Sequence, residues 1–186
     1  MKIFLNLLFN TSKGLNLLDE KYEDDLYRKS IFLFIVLGVV SYLSGFDLME
    51  ESRFLKGIFI LFVVTILYVF LGLIYSFILL KIGRLLKGKA TYTEVCSLFS
   101  YSLMPFVLSL VLIWIMNNAH HFFYENRLNI PVLKKLILVI SSLLSVKILL
   151  QGLIKFNNYS LLKGSVNVLF YVAFVAYLCY KLVVFI

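Results

Sequence analysis

Val95–Met116 reads VCSLFSYSLMPFVLSLVLIWIM. The stretch is long enough to cross about 30 Å of hydrocarbon as a helix and carries no charged side chain. Four further apolar runs flank it, at Ser30–Phe46, Gly57–Ile82, Val132–Ile154 and Gly164–Ile186. None alternates every second residue as the strands of an outer-membrane barrel do, so each reads as a helix. The expected fold is therefore all-α: a polytopic transmembrane bundle of five helices, with Ser30–Phe46 the shortest span. Residues 1–29 form a short amphipathic N-terminal segment ahead of the transmembrane domain at 30–186.

Composition agrees with this reading. Hydrophobic residues make up 62% of the chain and charged ones 15%, with a mean hydropathy of +0.97. That leaves no polar coat for a water-soluble globule. The opening MKIFLNLLFNTSKG is interrupted at Asn6 and lacks a small-residue cleavage pattern, so no cleaved signal peptide is expected. In SKGLNLLDEKYEDDLYRK, Leu15, Leu18, Tyr22 and Leu26 recur near helical spacing, with Asp19, Glu20, Glu23, Asp24 and Asp25 between them. This pattern predicts an interfacial helix packed beneath the bundle, with a protein-docking site as the alternative.

The formal charge of +8 is spread beside the spans, with no basic face interleaved with aromatics, so nucleic acid is not the expected partner. Its distribution reports topology instead. One set of loops holds eleven lysines and arginines, including Lys81, Arg84, Lys87 and Lys89, and the opposite set holds five. The positive-inside rule puts the N-terminus in the cytoplasm and the C-terminus outside, in keeping with a bacterial inner membrane.

Chemistry-bearing residues are few. Pro105 removes the amide hydrogen that would bond the Tyr101 carbonyl, which predicts a kink in the third span. Ser100, Ser102 or a neighbouring helix would then supply a donor to that carbonyl. The kink reads as structural, with a transport hinge as the alternative. Thr91-Tyr-Thr-Glu94 fits a capping box, so Glu94 is expected to cap a helix. Lys147 is a charge inside the fourth span, either a snorkelling structural lysine or part of a polar path. Small residues four apart at Ser41 and Gly45, Gly72 and Ser76, and Ser141 and Ser145 suggest close helix packing. Cys96 and Cys179 read as packing residues, and adjacent His120 and His121 do not make a metal site. Nucleophile-and-base pairs and phosphate loops are missing from the sequence, so neither an enzyme nor a cofactor is expected.

The stretch LLKGKATYTEVCSLFSYSLMPFVLSLVL resembles the Yip family, the Ypt/Rab-GTPase-interacting membrane proteins, and is closest to its small bacterial branch. Gly88, Lys89, Glu94, Tyr101, Ser102 and Pro105 are the matching positions, in a basic glycine-containing loop that leads into a Tyr-x-x-x-Pro segment. The opening LLFNTSKGLNLLDE is similar to the family's opening, with Asn10-Thr11 where a proline is usual. An Asp-Leu-Tyr-Gly-type segment carried by eukaryotic members does not occur here. The resemblance implies a non-enzymatic five-span membrane protein whose eukaryotic relatives act in vesicle transport and membrane shaping. The expected role is a scaffold or membrane-organising factor, with lipid, and protein partners at the tail and the Lys81–Lys89 loop. The alternative is a small transporter or channel subunit acting as a homo-oligomer, in which Pro105 is a hinge and Lys147 lines the path.

Overall fold

A computed structural model describes residues 2–44, 54–118, 130–169 and 171–173. Every regular element among them is helical: α1 (Lys2–Phe9), α2 (Thr11–Asp19), α3 (Glu23–Ser44), α4 (Phe54–Leu85), α5 (Tyr92–Ser102), α6 (Met104–Asn118) and α7 (Ile130–Asn157). The chain is helical again at 161–169 and 171–173. Among the described residues four stretches are long and apolar enough to cross a membrane: Glu23–Ser44, Gly57–Leu85, Tyr92–Met116 and Pro131–Asn157. The fifth expected span, Gly164–Ile186, lies outside the described residues beyond 173, as do Gly45, His120, His121 and Cys179.

The tail departs from a single interfacial helix. Asn10 caps α2 by accepting from the Lys13 amide (3.2 Å), and α2 stops at Asp19. Chain direction changes over residues 20–22, and Glu23, Asp24 and Asp25 then occupy the first turn of α3. Carboxylates there complement the positive end of the helix dipole, so the acidic run starts a membrane helix instead of lining one face of a surface helix. Leu15, Leu18 and Leu26 are buried as their spacing suggests, whereas Tyr22 at the break is 87% exposed. The boundary expected at residues 29 and 30 falls inside α3.

α1 and α2 form a close pair. A Cβ on Gly14 would lie 2.6 Å from the Leu7 backbone nitrogen, and the Thr11 hydroxyl donates to the Leu7 carbonyl (3.2 Å). The pair packs on α7. There Lys155 reaches both Asp19 (3.2 Å) and the Asn16 side chain (2.8 Å).

Contacts set the helix directions. Tyr27 meets Tyr92 and Phe34 meets Phe99, each step seven residues on both helices, so α3 and α5 run parallel. α4 runs antiparallel to α3: a Cβ on Gly38 would lie 2.9 Å from the Thr65 Cα, and one on Gly72 would lie 2.7 Å from the Phe34 ring. Gly152 of α7 lies against Leu98 of α5 so closely that a Cβ would collide with the leucine methyls. The start of α3, the ends of α4 and α7 and the start of α5 thus share one end of the bundle with α1 and α2.

Candidate functional site

The segment from Thr91 to Pro105 is the centre of the bundle. Thr91 caps α5: its hydroxyl accepts from the Glu94 amide (3.4 Å), while the Glu94 carboxylate accepts from the Thr91 amide (2.7 Å). Two donors left open by the start of the helix are satisfied reciprocally, and that is the use the structure makes of Glu94. All eight residues from Val95 to Ser102 are buried.

Its serines keep their hydroxyls within the helix. Ser97 donates to Glu94 (2.9 Å), Ser100 to Ser97 (2.9 Å), Ser102 to Phe99 (2.7 Å) and, in α6, Ser109 to Phe106 (2.7 Å), all on carbonyls three residues back. Such back-bonds hide a hydroxyl from hydrocarbon and bend the helix. Ser100 and Ser102 therefore do not serve the Tyr101 carbonyl, as the sequence suggested. The helix breaks at Leu103, where α5 ends and α6 begins. Pro105 sits in the first turn of α6, where its missing amide hydrogen has no intrahelical acceptor to serve.

Phe99 is the hub of this centre. Its ring meets Phe34 at 5.9 Å, stacks on Tyr75 at 6.1 Å and takes Tyr171 edge-on at 5.6 Å. Offset and edge-on pairs at these separations add to what burial alone provides. The Tyr171 hydroxyl hydrogen-bonds Ser145 of α7, so the helical stretch after 160 is pinned to the same hub. One turn towards the shared end, the Cys96 thiol meets Ser30, Ser76 and Tyr92, joining α3, α4 and α5.

At the shared end the last turns of α4 and α7 lock together. Each helix finishes in the same two-bond cap. The Gly88 amide bonds the Gly83 carbonyl (2.9 Å) and the Lys87 amide that of Arg84 (3.0 Å); the Tyr159 amide bonds Ile154 (3.0 Å) and the Asn158 amide Lys155 (3.3 Å). This is the Schellman arrangement, with Lys87 (φ 65°) and Asn158 (φ 54°) in the left-handed position usually held by glycine. The caps then bond each other: the Asn157 side chain accepts from the Ala90 amide (3.1 Å), and the Tyr159 hydroxyl donates to the Gly83 carbonyl. Gly88 lies so close to Asn157 and Tyr159 that a Cβ there would overlap both side chains. Burial pushes the Tyr159 phenol above its ordinary value, which keeps it a donor at any physiological pH. Asn167 is fully buried beside Gly83, and neither of its amide atoms, nor Asn157 Nδ2, has a hydrogen-bond partner among the described residues.

The Yip1 domain family model matches residues 5–183, nearly the whole chain. The chain belongs to the Yip1 family. No curated protein and no solved structure matches it. Within this Yip1 domain the sequence-derived candidates divide. Tyr101, Ser102 and Pro105 are buried together at the break in the third span, with Tyr101 8% exposed, whereas half-buried Glu94 stands in the first turn of the same span. Lys147 does not join them. It stands on the exposed side of α7, while Ser145, Ile148 and Leu149 turn inward. Exposed there, the lysine does not face the interior of this single bundle, and its long stem can extend the ammonium towards the headgroups.

Lys81, Arg84, Lys87 and Lys89 are all exposed at the interlocked end. The first two stand on the final turns of α4, with Lys81 over the Phe77 ring at 5.1 Å, and only the last two lie in the loop proper. Among the described residues no group of His, Cys, Asp and Glu side chains could hold a metal ion. Sequence reasoning missed Phe99, Gly152, Asn157, Tyr159 and Tyr171. Local signals existed for two of them, since Asn157-Asn158-Tyr159 is a turn-forming run at a helix end. Nothing local marks Gly152 or Tyr171.

Proposed function

We propose that this Yip1-family membrane protein is a non-enzymatic scaffold that gathers protein partners, in a trafficking-related or membrane-organising role, on the end of the bundle carrying α1, α2 and the α4–α5 loop. The observation that carries the reading is the interlocked end itself. The cap of α7 bonds the cap of α4 at Gly83, 76 residues away in sequence, and the Ala90 amide just beyond it, 67 residues away, and Lys155 reaches from the end of α7 to α2. The result is a platform that carries exposed acidic residues between Glu20 and Asp24 and exposed basic residues from Lys81 to Lys89 at the same end of the bundle. Surface charge of both signs at fixed positions steers and selects partners more than it adds affinity. The positive-inside count favours a cytoplasmic platform and an external C-terminus, and the reading takes the bilayer to be a bacterial inner membrane.

A conduit is the competing reading; the exposed position of Lys147 weighs against a path through a single bundle and leaves one built between copies to the test. The test is proximity crosslinking in native membranes with the full chain, a chain lacking residues 1–20, and Leu18→Asp, which undocks a fully buried leucine of α2. Scaffolding predicts reproducible partners that both alterations lose while membrane insertion persists. A stable homo-oligomer without partners, together with solute flux in proteoliposomes that Lys147→Leu abolishes, would replace the scaffold with a pore.

A further inference from the structure

A cavity of about 210 Å³ lies inside the bundle beside the aromatic hub. Buried Phe34, Phe99, Phe106 and Tyr171 line it, together with the small residues Gly72, Ser142 and Ser145. Apolar cavities of about 150 Å³ stay dry and accept a benzene, so this one has room for a longer hydrocarbon segment and little use for water. The lining side chains carry no formal charge.

Depth and access specify the guest. Phe99 lies about 10 Å and Gly72 about 20 Å by helical rise from the interlocked end, which sets the cavity in the hydrocarbon layer and away from the headgroups. On one side it is bounded by Leu67 and Leu71 of α4, which are 52% and 37% exposed and belong to the least buried of the four described spans. The surrounding medium at that wall is lipid tails. We propose that the cavity holds a segment of one acyl chain of a bilayer phospholipid, entering sideways past Leu67 and Leu71 and ending against Phe99 and Tyr171. The absence of charge from the lining means that the chain is recognised by shape and the headgroup is not read. A bound chain would fill contacts that a void forfeits and would brace the junction of α3, α4, α6 and α7.

The test uses the full chain in phosphatidylcholine nanodiscs doped with a phosphatidylcholine that carries a diazirine in one acyl chain. A parallel sample carries a diazirine fatty acid. After photolysis, labelled peptides are mapped by mass spectrometry. The proposal predicts phospholipid adducts on Phe99 or Phe106, whose side chains face away from bulk lipid, alongside adducts on outward-facing Phe62 and Phe70. Leu71→Trp, at the rim, should cut the inner adducts at least fivefold and leave the outer ones unchanged. Leu67→Trp is the second rim variant, should the first fail to insert. Adducts confined to the outer residues, or inner adducts indifferent to both tryptophans, would overturn the proposal. Inner labelling by the fatty acid alone would overturn its phospholipid source.

Discussion

The second and third spans of this Yip1-family bundle reverse the rule that holds in water. Gly57–Leu85 has the highest mean hydropathy of the four described spans, 2.9, yet only 11% of its window is buried; Tyr92–Met116, at 2.1, is 67% buried. Phe59, Phe62, Phe70 and Phe77 stand outward on α4, whereas the serines of α5 turn inward. In a bilayer the surrounding solvent is itself apolar, so hydrophobicity no longer drives a side chain to the interior. Close packing and the hiding of hydroxyls decide who is inside. The third span is central because it is small and polar enough to be packed against, and the second is peripheral because lipid suits it.

That contrast can be broken at several places, beginning with the tightest. Gly152→Leu should be the most damaging change: it forces a side chain into Leu98 of α5, and overpacking of a filled interior costs about 1–3 kcal/mol or more. Loss of the folded fraction in thermal unfolding within nanodiscs would measure it. Tyr159→Phe comes next. It removes the donor to the Gly83 carbonyl and should cost about 1 kcal/mol, less where the Gly88 amide already serves that oxygen. Lys87→Gly should act in the opposite direction, raising stability by about 0.5–1 kcal/mol because a glycine meets no Cβ penalty at φ 65°. Phe62→Leu, at an outward position of α4, should change stability by less than about 0.5 kcal/mol. A large loss there would mean that α4 is covered by protein in the membrane and that the contrast describes only a lone chain.

Much of this arrangement was legible from residue types. Length and apolarity gave the helices, Pro105 marked the break at Leu103, and Thr91 with Glu94 marked the start of α5. The serines at 97, 100 and 109 carried a further signal that the sequence reading did not use, because a span facing lipid has little reason to carry so many hydroxyls. Local pattern could not say which way Lys147 faces, since a helix offers every azimuth and only packing selects one. The interlocked caps were illegible for the same reason: Asn157 finds Ala90 only after α4, α5 and α7 have been brought to one end. The acidic run misled because Glu23–Asp25 fits equally the polar face of a surface helix and the first turn of a membrane helix.

The central claim is that partners meet the interlocked end and that the lipid-facing flank of the bundle meets none. A photocrosslinking amino acid placed at Tyr22, at the exposed break between α2 and α3, and separately at Leu143, exposed on α7, tests it most directly in native membranes. The account predicts discrete protein adducts from position 22 and lipid adducts alone from position 143. Protein adducts from position 143, whether to another chain or to a second copy of this one, with none from position 22, would contradict it.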